Sequence, residues 1–186
     1  PYASGGKPGG WFARTIADVD FFFLDGRYYR TNPRWPEPSM LGAEQKQWLL
    51  EQLAASRAAF KVIVSPVPWA EGVKPGSLDT WDGFAAEREE IFRGVTANKV
   101  DGVLLLSADR HRSDAWRIPR ADGYDLYEFE SSRLTNQHVH KTFEEAIFSY
   151  NELQSFAMLD FDTAADDPSV THRIVNIRGD CVFEME

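Results

Sequence analysis

Three short apolar runs limit what this chain can become: Val19 to Leu24 (VDFFFL), Phe60 to Val64 (FKVIV) and Val103 to Leu106 (VLLL). Each has the length of a strand, and none alternates polar with apolar residues as a half-exposed strand does. Nearly continuous runs of this kind mark strands covered on both faces. Between the first and second runs, Trp48, Leu49 and Leu53 follow helical spacing over Ala43 to Ser56, with Gly42 before the first turn. Between the second and third, Phe84, Arg88, Ile91, Phe92 and Val95 line one face of a helix from about Gly83 to Asn98. Strand–helix–strand–helix–strand predicts an α/β fold, with a parallel sheet joined by right-handed crossovers and both helices on one side of it.

The texture changes after Arg120. Leu126 to Phe129, Ser155 to Phe161, Thr171 to Ile177 and Val182 to Met185 alternate apolar and polar residues, which predicts half-exposed antiparallel strands. Asp166-Asp167-Pro168 and Arg178-Gly179-Asp180 read as turns, the second closing a terminal hairpin. Residues 1–18 read as linker or loop, since Pro1 to Gly10 holds four glycines and two prolines. Pro33, Pro36 and Pro38 make Thr31 to Pro38 a loop as well.

Composition excludes several classes. No apolar run approaches the roughly 20 residues of a membrane-spanning helix. The single cysteine, Cys181, excludes an internal disulfide and any CxxC zinc or redox site. The formal charge of −9 argues against a general nucleic-acid binder, which needs clustered Lys and Arg. That charge is uneven. Residues 1–120 carry a net +1, while residues 121–186 carry −10, so the first two-thirds can accept an anion and the tail reads as solvated acidic surface. The chain begins at Pro1 without Met or a signal segment, and it reads as a piece of a longer protein.

Open α/β sheets bind ligands beyond the carboxyl ends of their strands. Those ends are legible here. The first run leads into Asp25-Gly26-Arg27-Tyr28-Tyr29-Arg30, the second into Ser65-Pro66-Val67-Pro68-Trp69, and the third into Ser107-Ala108-Asp109-Arg110-His111-Arg112-Ser113. Asp109 and His111 are metal-ligand types which, two residues apart in an extended loop, can point at one metal. Arg27 and Arg30 are suited to an anionic group such as phosphate. Asp25 reads as the residue that fixes Arg27. Arg110 and Arg112 should point away from the metal side by alternation. His138 and His140 invite a metal reading too, but with no clear strand or intervening acid they read as exposed loop. Trp69, Trp81 and Trp116 read as loop packing beside the site.

These residues also fall into ordered blocks. Phe22-Phe23-Leu24-Asp25-Gly26-Arg27-Tyr28-Tyr29-Arg30 resembles the Leu-Asp-x-Arg-x-x-Arg segment of alkaline phosphatase D (PhoD-like) metallophosphatases. Met40 to Leu49 is similar to that family's LGxxQxxWL helix entry. Phe60-Lys61-Val62-Ile63, Asp79 to Phe84 with Glu87-Arg88, Leu106 to His111, and Glu128 to Asn136 with its Ser-Ser-x-Leu-Thr ending follow in the family's order. The resemblance runs from about Asp20 to the C-terminus.

The resemblance implies part of a calcineurin-like metallophosphoesterase, with two packed sheets flanked by helices and metals at the strand ends. It implies hydrolysis of phosphate monoesters and diesters, with iron and calcium as metals and zinc as a further candidate. Asp109 and His111 match the Gly-Asp-x-His metal block, with Ala108 where the family has glycine. The family's earlier ligands come from an N-terminal half whose blocks are absent here. This chain is therefore expected to be the C-terminal half of the catalytic domain, residues 19–186. Its expected partners are a phosphoester substrate, the N-terminal half and a second copy of itself, and its expected location is periplasmic or secreted. In isolation it is expected to be inactive. An SGNH serine esterase is excluded by the lack of Gly-Asp-Ser. The remaining alternative is an inactive truncated or degenerate fold that acts as a binding module.

Overall fold

The computed structural model describes residues 8–135 and 137–186. In chain order the elements are β1 (Phe12–Ile16), β2 (Val19–Phe23), α1 (Gly42–Ala55), β3 (Phe60–Val64), a 3-10 turn (Trp81–Phe84), α2 (Ala85–Ala97) and β4 (Val103–Ser107). There follow β5 (Ser113–Ile118), β6 (Leu126–Ser131), β7 (Phe148–Tyr150), β8 (Ser155–Asp162), β9 (Ser169–Asn176) and β10 (Cys181–Met185). Seven strands form one sheet in the order β1-β2-β3-β4-β6-β5-β7, and three form a second in the order β10-β9-β8.

The three apolar runs are neighbouring parallel strands, with Phe22 opposite Ile63 and Ile63 opposite Leu105. Both faces are covered, which is why the runs lack polar alternation. On one face Phe22, Ile63 and Leu105 meet Leu49 and Leu53 of α1 and Ile91, Phe92 and Val95 of α2. On the other, Val62, Leu104 and Phe129 meet Leu159, Phe161, Val170, Phe183 and Met185 of the small sheet. The result is helices, then a large sheet, then a small sheet.

Polar side chains inside this frame fasten its loops. Gln45, one turn before Leu49 on the buried face of α1, accepts the Asp25 N–H at 2.8 Å and donates to the Asp25 carbonyl at 2.9 Å. Gly42 opens α1 at a φ of +74°, where a Cβ would lie 2.9 Å from the Tyr29 side chain, so a close approach and left-handed backbone both call for glycine. Its N–H is capped by Ser39 at 2.7 Å, and Ser39 in turn donates to the buried Glu87 of α2 at 2.9 Å.

Four expectations change. Phe12–Ile16, inside the stretch expected as linker, pairs antiparallel with β2 as an edge strand, while residues 1–7 lie outside the described residues. Ser113–Ile118, expected as loop, is β5. Leu126–Ser131 is not a half-exposed antiparallel strand: it lies inside the large sheet, parallel to β4 and antiparallel to β5. Its alternation misleads because the polar members are buried as well. Glu128 accepts the N–H groups of Trp69 and Ala70 at 2.9 and 2.7 Å, together with the Ser107 hydroxyl. Trp69 and Trp81 are core residues, stacked 4.2 Å apart, and Trp116 belongs to β5.

Candidate active site at the strand ends

β2, β3 and β4 run parallel, so the segments that follow them share one edge of the sheet. At the end of β2 the Asp25 carboxylate accepts three backbone N–H groups, from Gly10 at 2.8 Å, Arg27 at 2.8 Å and Tyr28 at 2.9 Å. Burial pushes this carboxyl upward, but the three donors outweigh it and hold it below the usual range. Asp25 therefore shapes the turn and fixes Arg27 through its backbone, while the guanidinium is held elsewhere.

That role falls to Asp79. Arg27 reaches one Asp79 oxygen at 2.8 Å, and Arg30 reaches the same oxygen at 2.7 Å. The hydrogen bond from Arg27, with that from Arg30, drives the Asp79 carboxyl far below the usual range against the effect of burial. Lys74 lies between Asp79 at 3.4 Å and Asp109 at 3.2 Å. Together Arg27, Arg30, Lys74, Asp79 and Asp109 carry a formal +1. Arg30 also donates to the Leu78 carbonyl at 3.2 Å and lies 4.9 Å over the Phe84 ring, which makes it a brace. Arg27, 57% exposed at its side chain, keeps a face to solvent.

The turn after β4 separates the two expected metal ligands. Asp109 and His111 both adopt left-handed backbone, at φ of 86° and 49°. Such conformations are uncommon for residues other than glycine and gather at functional sites. Ala108 is not among the left-handed residues, so alanine is unstrained there. The Arg110 N–H donates to the buried Glu130 at 2.9 Å and the His111 N–H to Ser132 at 3.0 Å, which secures the turn. Asp109 contacts Lys74, while the His111 ring lies 5.8 Å from His138 and 5.4 Å from His140, centroid to centroid.

His138 and His140 lie in loop as expected, His138 exposed and His140 half-buried, and the loop brings their rings beside that of His111. One nitrogen of each of the three imidazoles lies within 4.8 Å of the others, and only His138 is fully exposed. Burial, with Arg110 and the neighbouring histidines, pushes His140 down to about 4, so the ring is neutral at neutral pH and one of its nitrogens offers a lone pair. Three imidazoles so grouped are an apt donor set for a metal. Beneath them Arg112, expected to point away from the metal side, is fully buried against Asp114 at 2.6 Å and lies 4.8 Å over Phe143.

Sequence reasoning missed Asp79, Lys74, Gln45 and Glu130. Asp79 and Gln45 lay inside quoted blocks without a role. Their partners, 52 and 20 residues away for Arg27 and Asp25, leave no trace in local pattern.

The model of the PhoD-like phosphatase family matches residues 15–185. Alkaline phosphatase D of Bacillus subtilis (strain 168) is 30% identical over 114 residues, covering 51% of this chain and 20% of that protein. Among solved structures, one described as the structure of PhoD superposes with a TM-score of 0.70 at 17% identity, over 99% of this chain and 46% of the other. GAP50, described as the anchor in the inner membrane complex of Plasmodium, superposes with a TM-score of 0.63 at 13% identity, over 97% of this chain and 55% of the other. At those identities the likeness speaks for the fold alone. This chain thus spans a fifth of the curated relative's length and about half of each solved chain. No helix among its described residues is long and apolar enough to cross a membrane. With the family's pattern matched over nearly the whole length, the chain belongs to the PhoD-like phosphatase family.

Proposed function

We propose that this chain contributes the phosphate-facing edge of a metal-dependent phosphoesterase acting on mono- and diesters. The carrying observation is the Arg27–Asp79 pair on the same sheet edge as the Asp109–His111 turn, with Lys74 joining the two. Asp25 sets the turn from which Arg27 extends. Asp79 grips one side of the guanidinium and leaves its solvent side to meet phosphoryl oxygens. In the transition state, charge accumulates on those oxygens, and Arg27 is placed to offset it. Asp109 contacts Lys74 while His111 stands beside His138 and His140, an arrangement in which each serves a different cation. Bound cations would supply Lewis acidity and a hydroxide at neutral pH. Iron, calcium or zinc, further ligands from outside these 186 residues, and a periplasmic or secreted setting belong to the same proposal. So does self-association, for which exposed Ile16, Leu134 and Ile177 offer apolar surface.

One observation favours the competing reading of an inactive binding module: Asp79 already neutralises both arginines. Steady-state hydrolysis of an aryl phosphate monoester and diester separates them. Arg27→Ala should lower kcat about a hundredfold with metal content unchanged. No turnover at all by the full protein, or unchanged turnover in Arg27→Ala, overturns the hydrolytic assignment.

A further inference from the structure

We propose that His111, His138 and His140 form a binding site for a divalent transition metal such as zinc or cobalt. They are three of the four histidines in the chain, drawn from two separate segments, and a nitrogen of each lies within 4.8 Å of the others. The His138 and His140 rings are 4.9 Å apart at 85°, so the three rings converge without stacking. Both segments are anchored. His111 is held through its N–H by Ser132 at 3.0 Å, and the His140 carbonyl accepts from Asn151 at 2.8 Å.

Chemistry decides the class of ion. Imidazole nitrogens suit zinc, cobalt, nickel, copper and iron, whereas calcium and magnesium seek oxygen. No carboxylate belongs to this group, and the nearest in sequence, Asp109, is turned toward Lys74. Three protein ligands with one of them exposed leave a coordination position open to water or an anion, the arrangement of catalytic rather than structural zinc. This inference rests on the hydrolytic reading and deepens it by naming three ligands from this chain for one cation. Metal binding is measured without turnover, however, so the two can fail separately.

The full protein, stripped with chelator, is reloaded with Co2+ or Zn2+, freed of excess ion and assayed for retained metal and for the Co2+ visible spectrum. His138→Ala and His140→Ala should each bind Co2+ at this site at least roughly a hundredfold more weakly, and so retain one equivalent less after the excess ion is removed, since even supporting residues around a metal are worth 10- to 100-fold. Lys141→Ala, in the same loop, should retain the full complement. Calcium should not displace the cobalt. If His138→Ala and His140→Ala keep the same cobalt content and spectrum as the unaltered protein, the site is refuted, even where Arg27-dependent hydrolysis persists. Histidine-dependent cobalt binding without any hydrolysis refutes the hydrolytic reading and leaves the site standing.

Discussion

Two groups of charges, one at the strand ends and one inside the large sheet, use the same residue types to opposite effect. At the edge, Arg27, Arg30 and Lys74 share Asp79 in partial contact with water, and the Asp79 carboxyl falls far below its usual range. Inside, Arg112, Asp114, Glu128 and Glu130 are all removed from solvent. There burial dominates: Glu128 is pushed up to about 7, and Glu130 rises well above its ordinary value with Asp114 nearby. Water lets the edge pairs exchange partners at little cost, which suits a surface that must admit an anion. The interior group cannot exchange without leaving a charge bare, so it holds position. Its two ends are the Arg110–His111 turn above Glu130 and the Trp69–Ala70 loop on Glu128.

The sharpest way to break this contrast is Arg112→Ala. It leaves the fully buried Asp114 without its 2.6 Å partner, and the expected loss is about 3–5 kcal/mol of unfolding free energy in urea. A loss below about 1 kcal/mol would place the interior group in the same class as the edge.

A second test uses pH. His172 is buried between Phe129, stacked at 4.0 Å, and Phe183, with no hydrogen-bond partner among the described residues. Burial lowers it from 6.5 to about 4. Its neutral form stabilises the fold above pH 6.5, and this contribution, up to about 3 kcal/mol, is lost as pH falls toward 4. Glu128 runs the other way. Its folded value is raised from 4.5 to about 7, so stability is greatest below 4.5 and falls as pH rises toward 7. The two slopes oppose each other over their shared range, with Glu130, raised like Glu128, adding to the falling side and His140, lowered like His172, to the rising side. Glu128→Gln removes one falling contribution, so its stability should rise more, or fall less, from pH 4.5 to 6.5 than the parent's, measured as urea midpoints across that range. A Glu128→Gln profile with the same slope as the parent's would rule out a raised Glu128.

The smallest effect is the one that sharpens the edge side. Arg27→Ala should cost no more than about 1 kcal/mol of stability, because its side chain is 57% exposed. A larger loss in the same urea titration would make Arg27 a structural residue.

The helical and parallel part of the fold was legible because its signals are local and redundant. Leu49 and Leu53 one helical turn apart, and Phe22, Ile63 and Leu105 in unbroken runs, each announce their surroundings. β5 was hidden because Ser113, Asp114 and Arg117 make it read as polar loop. Only the buried Arg112–Asp114 pair and the pairing with β6 and β7 make it a strand. Asp109 and His111 stand out as candidate ligands from their place after a buried strand. Their divergence was not legible, because it depends on left-handed backbone fixed by Glu130 and Ser132, 20 and 21 residues away. That His138 and His140 meet His111 was not legible for the same reason: the neighbour lies 27 and 29 residues earlier in the chain.

The strand order β4-β6-β5 carries a consequence for how the chain is made. β5 leaves the ribosome before β6, yet β6 must take the place beside β4, and β5 and β7 can join only after it. Until residue 131 has been synthesised, β4 presents an open row of unpaired amides and carbonyls, and the segment that will bear His111 has nothing to rest on. The turn thus waits on a strand made after it, and the polypeptide stays open to wrong pairing until that strand arrives.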